Sequence, residues 1–76
     1  MGGKKVLRYP IVIEKSTKNF SAYSPDLPGC VATGTTVRQT ISHMKGAIKF
    51  HLEALKKQGG KIAEPSTRVE YIEITI

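Results

Sequence analysis

Residues 36–58 constrain the fold more than any other stretch. Apolar side chains recur there at Val37, Ile41, Met44, Ile48, Leu52 and Leu55. Steps of three and four put them on one side of an α-helix. Thr36 followed by Gln39 matches a capping box, in which the threonine oxygen accepts from a free amide and the glutamine reaches back. Gly59-Gly60 supplies the stop, and Lys56 and Lys57 in the last turn complement the carbonyl end of the helix dipole. One helix over residues 36–58 can cover one face of a sheet. The other face must be solvated or covered by another chain.

The rest of the chain supplies strands. Lys5 to Glu14 reads as the first, with Ile11, Val12 and Ile13 consecutive and β-branched. Pro10 lacks an amide donor, which places the early part of this strand at an edge or bulge. Ser16-Thr17-Lys18-Asn19 is of hairpin length, and Asn19 tolerates the left-handed φ that closes such turns. Phe20 to Ser24 and Cys30 to Thr33 follow as strands two and three, giving an antiparallel meander. After the helix, Lys61 to Arg68 is a polar connector. In Val69 to Ile76, Ile72, Ile74 and Ile76 alternate with Tyr71, Glu73 and Thr75, as in a strand with one apolar face. The expected fold is α+β, in the order βββαβ: a three-stranded meander, a fourth strand and one main helix packed on one face.

Between strands two and three lies Ser24-Pro25-Asp26-Leu27-Pro28-Gly29. Pro28-Gly29 fits the middle of a type II turn, where proline presets φ and glycine supplies the positive φ of the next position. The two prolines stiffen the connector, which is either a structural corner or a contact surface presenting Tyr23, Asp26 and Leu27.

At 76 residues the chain is one domain, residues 1–76. A chain this short buries only about 60% of its unfolded surface, so a partner or a second copy would help it. Its one cysteine, Cys30, forms no disulfide within the chain and fits a reducing compartment. Met1-Gly2-Gly3-Lys4-Lys5 does not resemble a signal peptide, and no apolar run approaches a membrane span. The cytoplasm is the expected location. The net charge of +6, from 12 Lys+Arg against 6 Asp+Glu, favours nucleic acid or an acidic protein surface as a contact.

The helix has two further rows. His43, Ala47, Phe50 and Ala54 flank the apolar stripe; they form either an interface anchored by Phe50 or a widened core stripe with one exposed aromatic. Arg38, Lys45, Lys49 and Lys56 fall within roughly 40° of one another on the opposite flank. This ridge is either a phosphate-contacting stripe or a solvated face, and no aromatic interleaves it for base stacking.

Chemistry is hard to find in the sequence. His43 and His51 are too far apart along a helix for joint metal ligation. Cys30 has no neighbour in sequence that would activate a thiolate. The acids Glu14, Asp26, Glu53, Glu64, Glu70 and Glu73 are dispersed, and no phosphate loop or nucleophile motif occurs. The chain reads as non-enzymatic, with no cofactor and no metal.

The series Tyr9-Pro10-Ile11-Val12-Ile13-Glu14, Phe20-Ser21-Ala22-Tyr23, Pro25-Asp26-Leu27-Pro28-Gly29-Cys30-Val31-Ala32-Thr33-Gly34, Ile48-Lys49-Phe50-His51-Leu52 and Glu64-Pro65-Ser66-Thr67 resembles the HicB-like antitoxins of prokaryotic toxin–antitoxin modules. The resemblance runs from about Tyr9 to Val69. It implies a domain like a truncated ribonuclease H fold without the catalytic carboxylates. It also implies a homo-oligomer, commonly a homodimer, and a small HicA-like, mRNA-cleaving toxin as partner, whose active site the antitoxin covers. Full-length relatives carry a C-terminal DNA-binding segment; this chain ends at Ile76, with no room for one. Relatives commonly have acids early in the helix, whereas Val37-Arg38-Gln39-Thr40 has none.

Two functions are therefore expected to compete. In the first, the chain masks a toxin through Tyr23, Asp26, Leu27 and Phe50. In the alternative, it binds nucleic acid through Arg38, Lys45, Lys49 and Lys56.

Overall fold

A computed structural model describes residues 5–76. The opening Met1-Gly2-Gly3-Lys4, read above as unlike a leader, lies outside the described residues. Three strands, β1 (Val12–Lys15), β2 (Phe20–Tyr23) and β3 (Val31–Gly34), form one sheet in the order β1-β2-β3 with both pairings antiparallel. The helix α1 (Val37–Lys57) packs across β2 and β3. The meander and the single covering helix are those the sequence pattern implies.

Register divides the sheet into two faces. Ile13, Ala22 and Ala32 lie opposite one another and face the helix, with Ala22 buried. Val12, Tyr23 and Val31 lie opposite one another on the outer face, because successive strand residues alternate sides. The first strand is shorter than the sequence suggests. β2 ends at Tyr23, just before Pro25, so only residues from Val12 onward have a strand across from them. Residues 5–11 run on without a strand partner.

The connections follow turn chemistry closely. In the first hairpin, the Ser16 amide donates to the Asn19 carbonyl at 2.8 Å, and the Ser16 hydroxyl donates to the Asn19 side-chain oxygen at 2.6 Å. Asn19 closes this turn without the positive φ expected of it; only Gly29 and Gly59 have positive φ among the described residues. The second connection is a double turn. The Leu27 amide donates to the Ser24 carbonyl and the Cys30 amide to the Leu27 carbonyl, both at 3.1 Å. Gly29, at φ 84°, occupies the third position of the second turn, which is the type II geometry the Pro28-Gly29 pair prescribes.

Both helix caps form. The Gln39 amide donates to the Thr36 hydroxyl oxygen at 3.0 Å. The Gln39 side-chain oxygen reaches one residue further back than a capping box requires, accepting from the Thr35 amide at 2.7 Å and the Thr35 hydroxyl at 2.9 Å. At the other end, the Gly60 amide donates to the Leu55 carbonyl and the Gly59 amide to the Lys56 carbonyl, with Gly59 at φ 75°. This is a Schellman motif, and it satisfies carbonyls that the helix leaves free.

The core is small: Ala22, Leu27, Cys30 and Met44 are buried, with Tyr9, Ile11, Ile13, Ala47, Ile48 and Leu52 packed around them. The helix is turned about its axis relative to the expected stripe. Thr40 and Met44 are fully buried, whereas Val37 is exposed and Ile41 is 47% exposed. By helix geometry the buried face is shifted by roughly 50° toward Thr40 and Ala47. The cause lies at Gly34, where a Cβ would stand 2.6 Å from the Thr40 hydroxyl oxygen and 2.7 Å from its backbone nitrogen. That close approach requires glycine in the strand and a small residue in the helix. The Thr40 hydroxyl is satisfied by donating to the Thr36 carbonyl at 2.7 Å, so its burial leaves no orphan donor.

The fourth strand is not formed, which corrects the expected βββαβ order to β1-β2-β3-α1 followed by an extended segment. Residues 69–76 carry the alternation of a strand, but no backbone hydrogen bond joins residues 68–76 to any other described residue. Val69, Tyr71, Ile72, Ile74 and Ile76 are all exposed. A strand exists by its ladder, and alternation alone cannot supply the second edge.

Candidate functional site

The double turn is built as a corner, and its acid is used inside the chain. Asp26 Oδ1 accepts four hydrogen bonds: from the amide and hydroxyl of Ser66, at 3.1 and 3.0 Å, and from the amide and hydroxyl of Thr67, at 3.2 and 3.0 Å. Oδ2 is buried and accepts none. Burial pushes the carboxyl pKa up, but the Ser66 and Thr67 donors outweigh it and hold Asp26 below its ordinary value. Leu27 is 2% exposed and lies in the core. The structure therefore gives two of the expected contact residues a role inside the chain, and it corrects the expected exposure of Leu27. Asp26 clamps the connector after the helix, and Leu27 anchors the corner from within. Leu27 is enclosed and Asp26 is half-buried.

Tyr23 and Phe50 are exposed, and the structure adds Val31 between them. Tyr23 and Val31 lie directly opposite on the outer face of the sheet. Val31 is 64% exposed and Phe50 74%. On the helix side of β3, Phe50 lines a cleft of about 310 Å³ with Gly29, Cys30, Val31, Ala47 and Ala54. β3 is an edge strand. An apolar surface thus wraps around a free strand edge, from Tyr23 and Val31 on one side to Phe50 on the other. His43 stands on the same flank. Its Nδ1 lies 2.7 Å from the Thr33 carbonyl oxygen, an acceptor, so Nδ1 carries the proton and donates. The sequence row His43, Ala47, Phe50, Ala54 accordingly serves both readings: Ala47 packs on the core and Phe50 stands out. Sequence reasoning misses Val31 because Cys30 to Thr33 looks like one undivided β-compatible run. Counting its period of two from buried Cys30 turns Val31 outward.

Cys30 is buried, and that burial raises its thiol pKa, which disfavours a reactive thiolate. Among the described residues, no three of His, Cys, Asp and Glu gather to hold a metal ion, and no helix is long and apolar enough to cross a membrane. Arg38, Lys45, Lys49 and Lys56 are all exposed. By helix geometry their flank lies about 100–140° from Phe50. The basic ridge and the apolar β3 edge are separate surfaces.

Comparison with known proteins places this arrangement. The family profile described as "HicB_like antitoxin of bacterial toxin-antitoxin system" matches residues 9–74. An uncharacterized 14.9 kDa protein of the rep-hol intergenic region of Haemophilus phage HP1 is 33% identical over 64 residues, covering 84% of this chain and 48% of the phage protein. The UPF0150 protein Ta0767 of Thermoplasma acidophilum is 34% identical over 71 residues, covering 92% of this chain and 97% of that protein. The chain thus spans about half the length of the phage relative and nearly all of the archaeal one. Among solved structures, a chain of the HicA3 and HicB3 toxin-antitoxin complex superposes with a TM-score of 0.67 at 33% identity, covering 79% of this chain and 70% of that one. A corner locked by Asp26, a capped helix on a three-stranded meander, and a profile match from Tyr9 to Ile74 agree: the chain belongs to the HicB-like antitoxin family.

Proposed function

We propose that this chain acts as an antitoxin, binding a HicA-type, mRNA-cleaving toxin and covering its active site without catalysis of its own. The observation that carries this reading is the apolar surface around the β3 edge, formed by Tyr23, Val31 and Phe50. The surface is rigid because its supports are rigid. The double turn fixes the start of β3, and the Gly34–Thr40 contact fixes the helix against its end. A free strand edge flanked by aromatic anchors suits a protein partner that adds a strand and fills the adjoining cleft.

The charge distribution supports the same face. A toxin that cleaves RNA is expected to be basic, and this chain carries +6, so the two repel at long range. Arg38, Lys45, Lys49 and Lys56 lie on the flank away from Phe50, so a basic partner meets the β3 edge without confronting that ridge; Lys57, two turns beyond Phe50 on its own side, is the one helix cation near it.

The test is reconstitution with a HicA-type toxin that cleaves RNA. RNA cleavage by that protein should fall to background when this chain is present in excess. Cleavage that continues unchanged in excess antitoxin removes the reading.

A further inference from the structure

We infer that His43 is a stop on the β3 edge: it ends strand addition at Thr33, so that an extended segment of the toxin pairs with Val31 and comes in from the Gly29 end. The backbone bonds of the sheet show which groups of β3 are free. The Ser24 amide donates to the Cys30 carbonyl at 3.4 Å. In an antiparallel pair, directly opposed residues alternate between those that exchange backbone bonds and those that do not. With Ser24 and Cys30 bonded, Ala32 and Gly34, opposite Ala22 and Phe20, also turn their backbone groups toward β2. Val31 and Thr33, opposite Tyr23 and Ser21, turn theirs outward. The other side of β2 agrees. The Ser16–Asn19 bond sets the bonded pairs with β1 at Glu14–Ser21 and Val12–Tyr23, so Ser21 and Tyr23 direct their backbone groups to β1 and not to β3.

Val31 and Thr33 therefore each present an amide and a carbonyl to the free edge, and the helix takes one of these groups. The Thr33 carbonyl accepts from His43 Nδ1 at 2.7 Å. One step further along the chain, the Thr35 amide donates to the Gln39 side-chain oxygen at 2.7 Å. Gln39 and His43 stand one turn apart on the helix, and together they close the edge from the Thr33 carbonyl onward. Covering an edge in this way limits where another strand can pair. Toward Gly29 the edge stays open. A residue's amide precedes its carbonyl along the chain, so the Thr33 amide lies on the open side of the stop. A strand added from that end meets the Val31 amide, the Val31 carbonyl and the Thr33 amide, and then runs into the imidazole.

The occupant is the toxin of the proposed function, and the inference rests on that reading. An added strand places alternate side chains on the two faces of the sheet. One set enters the cleft between Ala47, Phe50 and Ala54 on the helix and Cys30 on the strand, and an apolar side chain fills it. The other set lies beside Val31 and Tyr23 on the outer face. None of these residues carries a charge, so a basic segment lies against them without meeting the cations of the ridge. The backbone bonds to Val31 and Thr33 supply affinity, and the cleft selects the side chain. His43 acts through the Thr33 carbonyl, as a positioning residue that fixes where the pairing ends.

Amide hydrogen exchange on the whole chain, alone and with a HicA-type toxin, tests the stop. Alone, the Val31 and Thr33 amides should exchange quickly, and those of Ala32 and Gly34 slowly. Toxin should slow the Val31 and Thr33 amides by about tenfold or more. His43→Ala releases one more acceptor at an exposed position, so toxin affinity should rise by about 2–10-fold, the worth of one further hydrogen bond. Val31→Pro removes an amide that faces away from β2, where an edge strand accepts proline. It should weaken toxin binding by about tenfold more than Val31→Ala does. Slow Val31 and Thr33 amides without toxin would mean that a second copy already holds the edge, and would overturn the inference. A toxin that binds and is silenced while both amides stay fast overturns strand addition and leaves the antitoxin reading standing. A toxin that does not bind removes both. Equal or weaker binding by His43→Ala makes His43 something other than a stop.

Discussion

Asp26 and Thr67 are separated by 41 residues and meet at a single carboxylate oxygen, which accepts both the amide and the hydroxyl of Thr67. Ser66 adds two more donors to the same oxygen. The corner before β3 and the connector after the helix are therefore one fixed unit. Because these donors favour the charged form, the folded-state pKa of Asp26 lies below its ordinary value of 3.8. A group with a depressed folded pKa contributes stability that is complete above the unfolded value and is lost as pH falls through the folded one. Acid titration followed by hydrogen exchange should show the Ser66 and Thr67 amides losing protection below about pH 3.8. Asp26→Ala should remove that protection at neutral pH too. Amides equally slow in parent and variant would show that the carboxylate is not what holds the connector.

The Gly34–Thr40 contact predicts a sharp intolerance. A Cβ on residue 34 would meet backbone atoms of the first helical turn, which cannot swing aside as a long side chain can. Gly34→Ala should destabilise the fold by about 1–3 kcal/mol, measured by denaturant unfolding. Gly46 is the control. It sits in the same helix, and a Cβ added there would have nothing within 4 Å, so Gly46→Ala should stabilise by about 0.5–1 kcal/mol. Equal effects of the two changes would mean that the helix does not approach β3 as described.

Met44 is the most completely enclosed hydrophobic side chain of a small core, with no exposed surface. Met44→Ala should cost about 2–5 kcal/mol. A chain of this length has a total stability of about 4–11 kcal/mol on a per-residue scale. The variant should therefore melt far below the parent, or unfold outright at room temperature. A melting temperature within a few degrees of the parent would show that the core is centred elsewhere.

Local chemistry is legible in the sequence wherever a residue type carries its own geometry. Thr36 and Gln39, Gly59 and Gly60, and Pro28 and Gly29 each announce a cap or a turn that the structure contains, because propensity there is set by backbone sterics and nearby donors. Long-range choices are not legible. Asp26 looks like a presented acid because its partners, Ser66 and Thr67, are remote in sequence. Leu27 goes to the surface with its loop in such a reading, although a tight double turn can point one side chain inward. Residues 69–76 look like a fourth strand because alternation records the capacity to pair and not the partner. The rotation of the helix depends on a glycine across the sheet, which no helical periodicity can report.

The basic ridge yields its own prediction. If Arg38, Lys45, Lys49 and Lys56 contact phosphates, binding to RNA or duplex DNA should fall steeply with salt. Replacing all four with alanine should lower the slope of log affinity against log salt by about four. If they form a solvated face, parent and variant should bind equally weakly with the same slope. The absence of interleaved aromatics favours the second result, because single-stranded binding draws much of its strength from base stacking.

The apolar β3 edge separates binding from folding. Phe50 is largely solvent-exposed, so Phe50→Ala should change stability by no more than about 0.5 kcal/mol. Its removal from a desolvated anchor position should nevertheless weaken toxin binding by about 2 kcal/mol, or roughly 30-fold. Val31→Asp places a charge on the same surface and should weaken binding at least as much. Arg38→Ala, on the opposite flank, serves as the reference and should leave affinity within about threefold of the parent. Calorimetric titration of each variant into the toxin decides the matter. Full affinity in both Phe50→Ala and Val31→Asp would move the toxin interface off this edge.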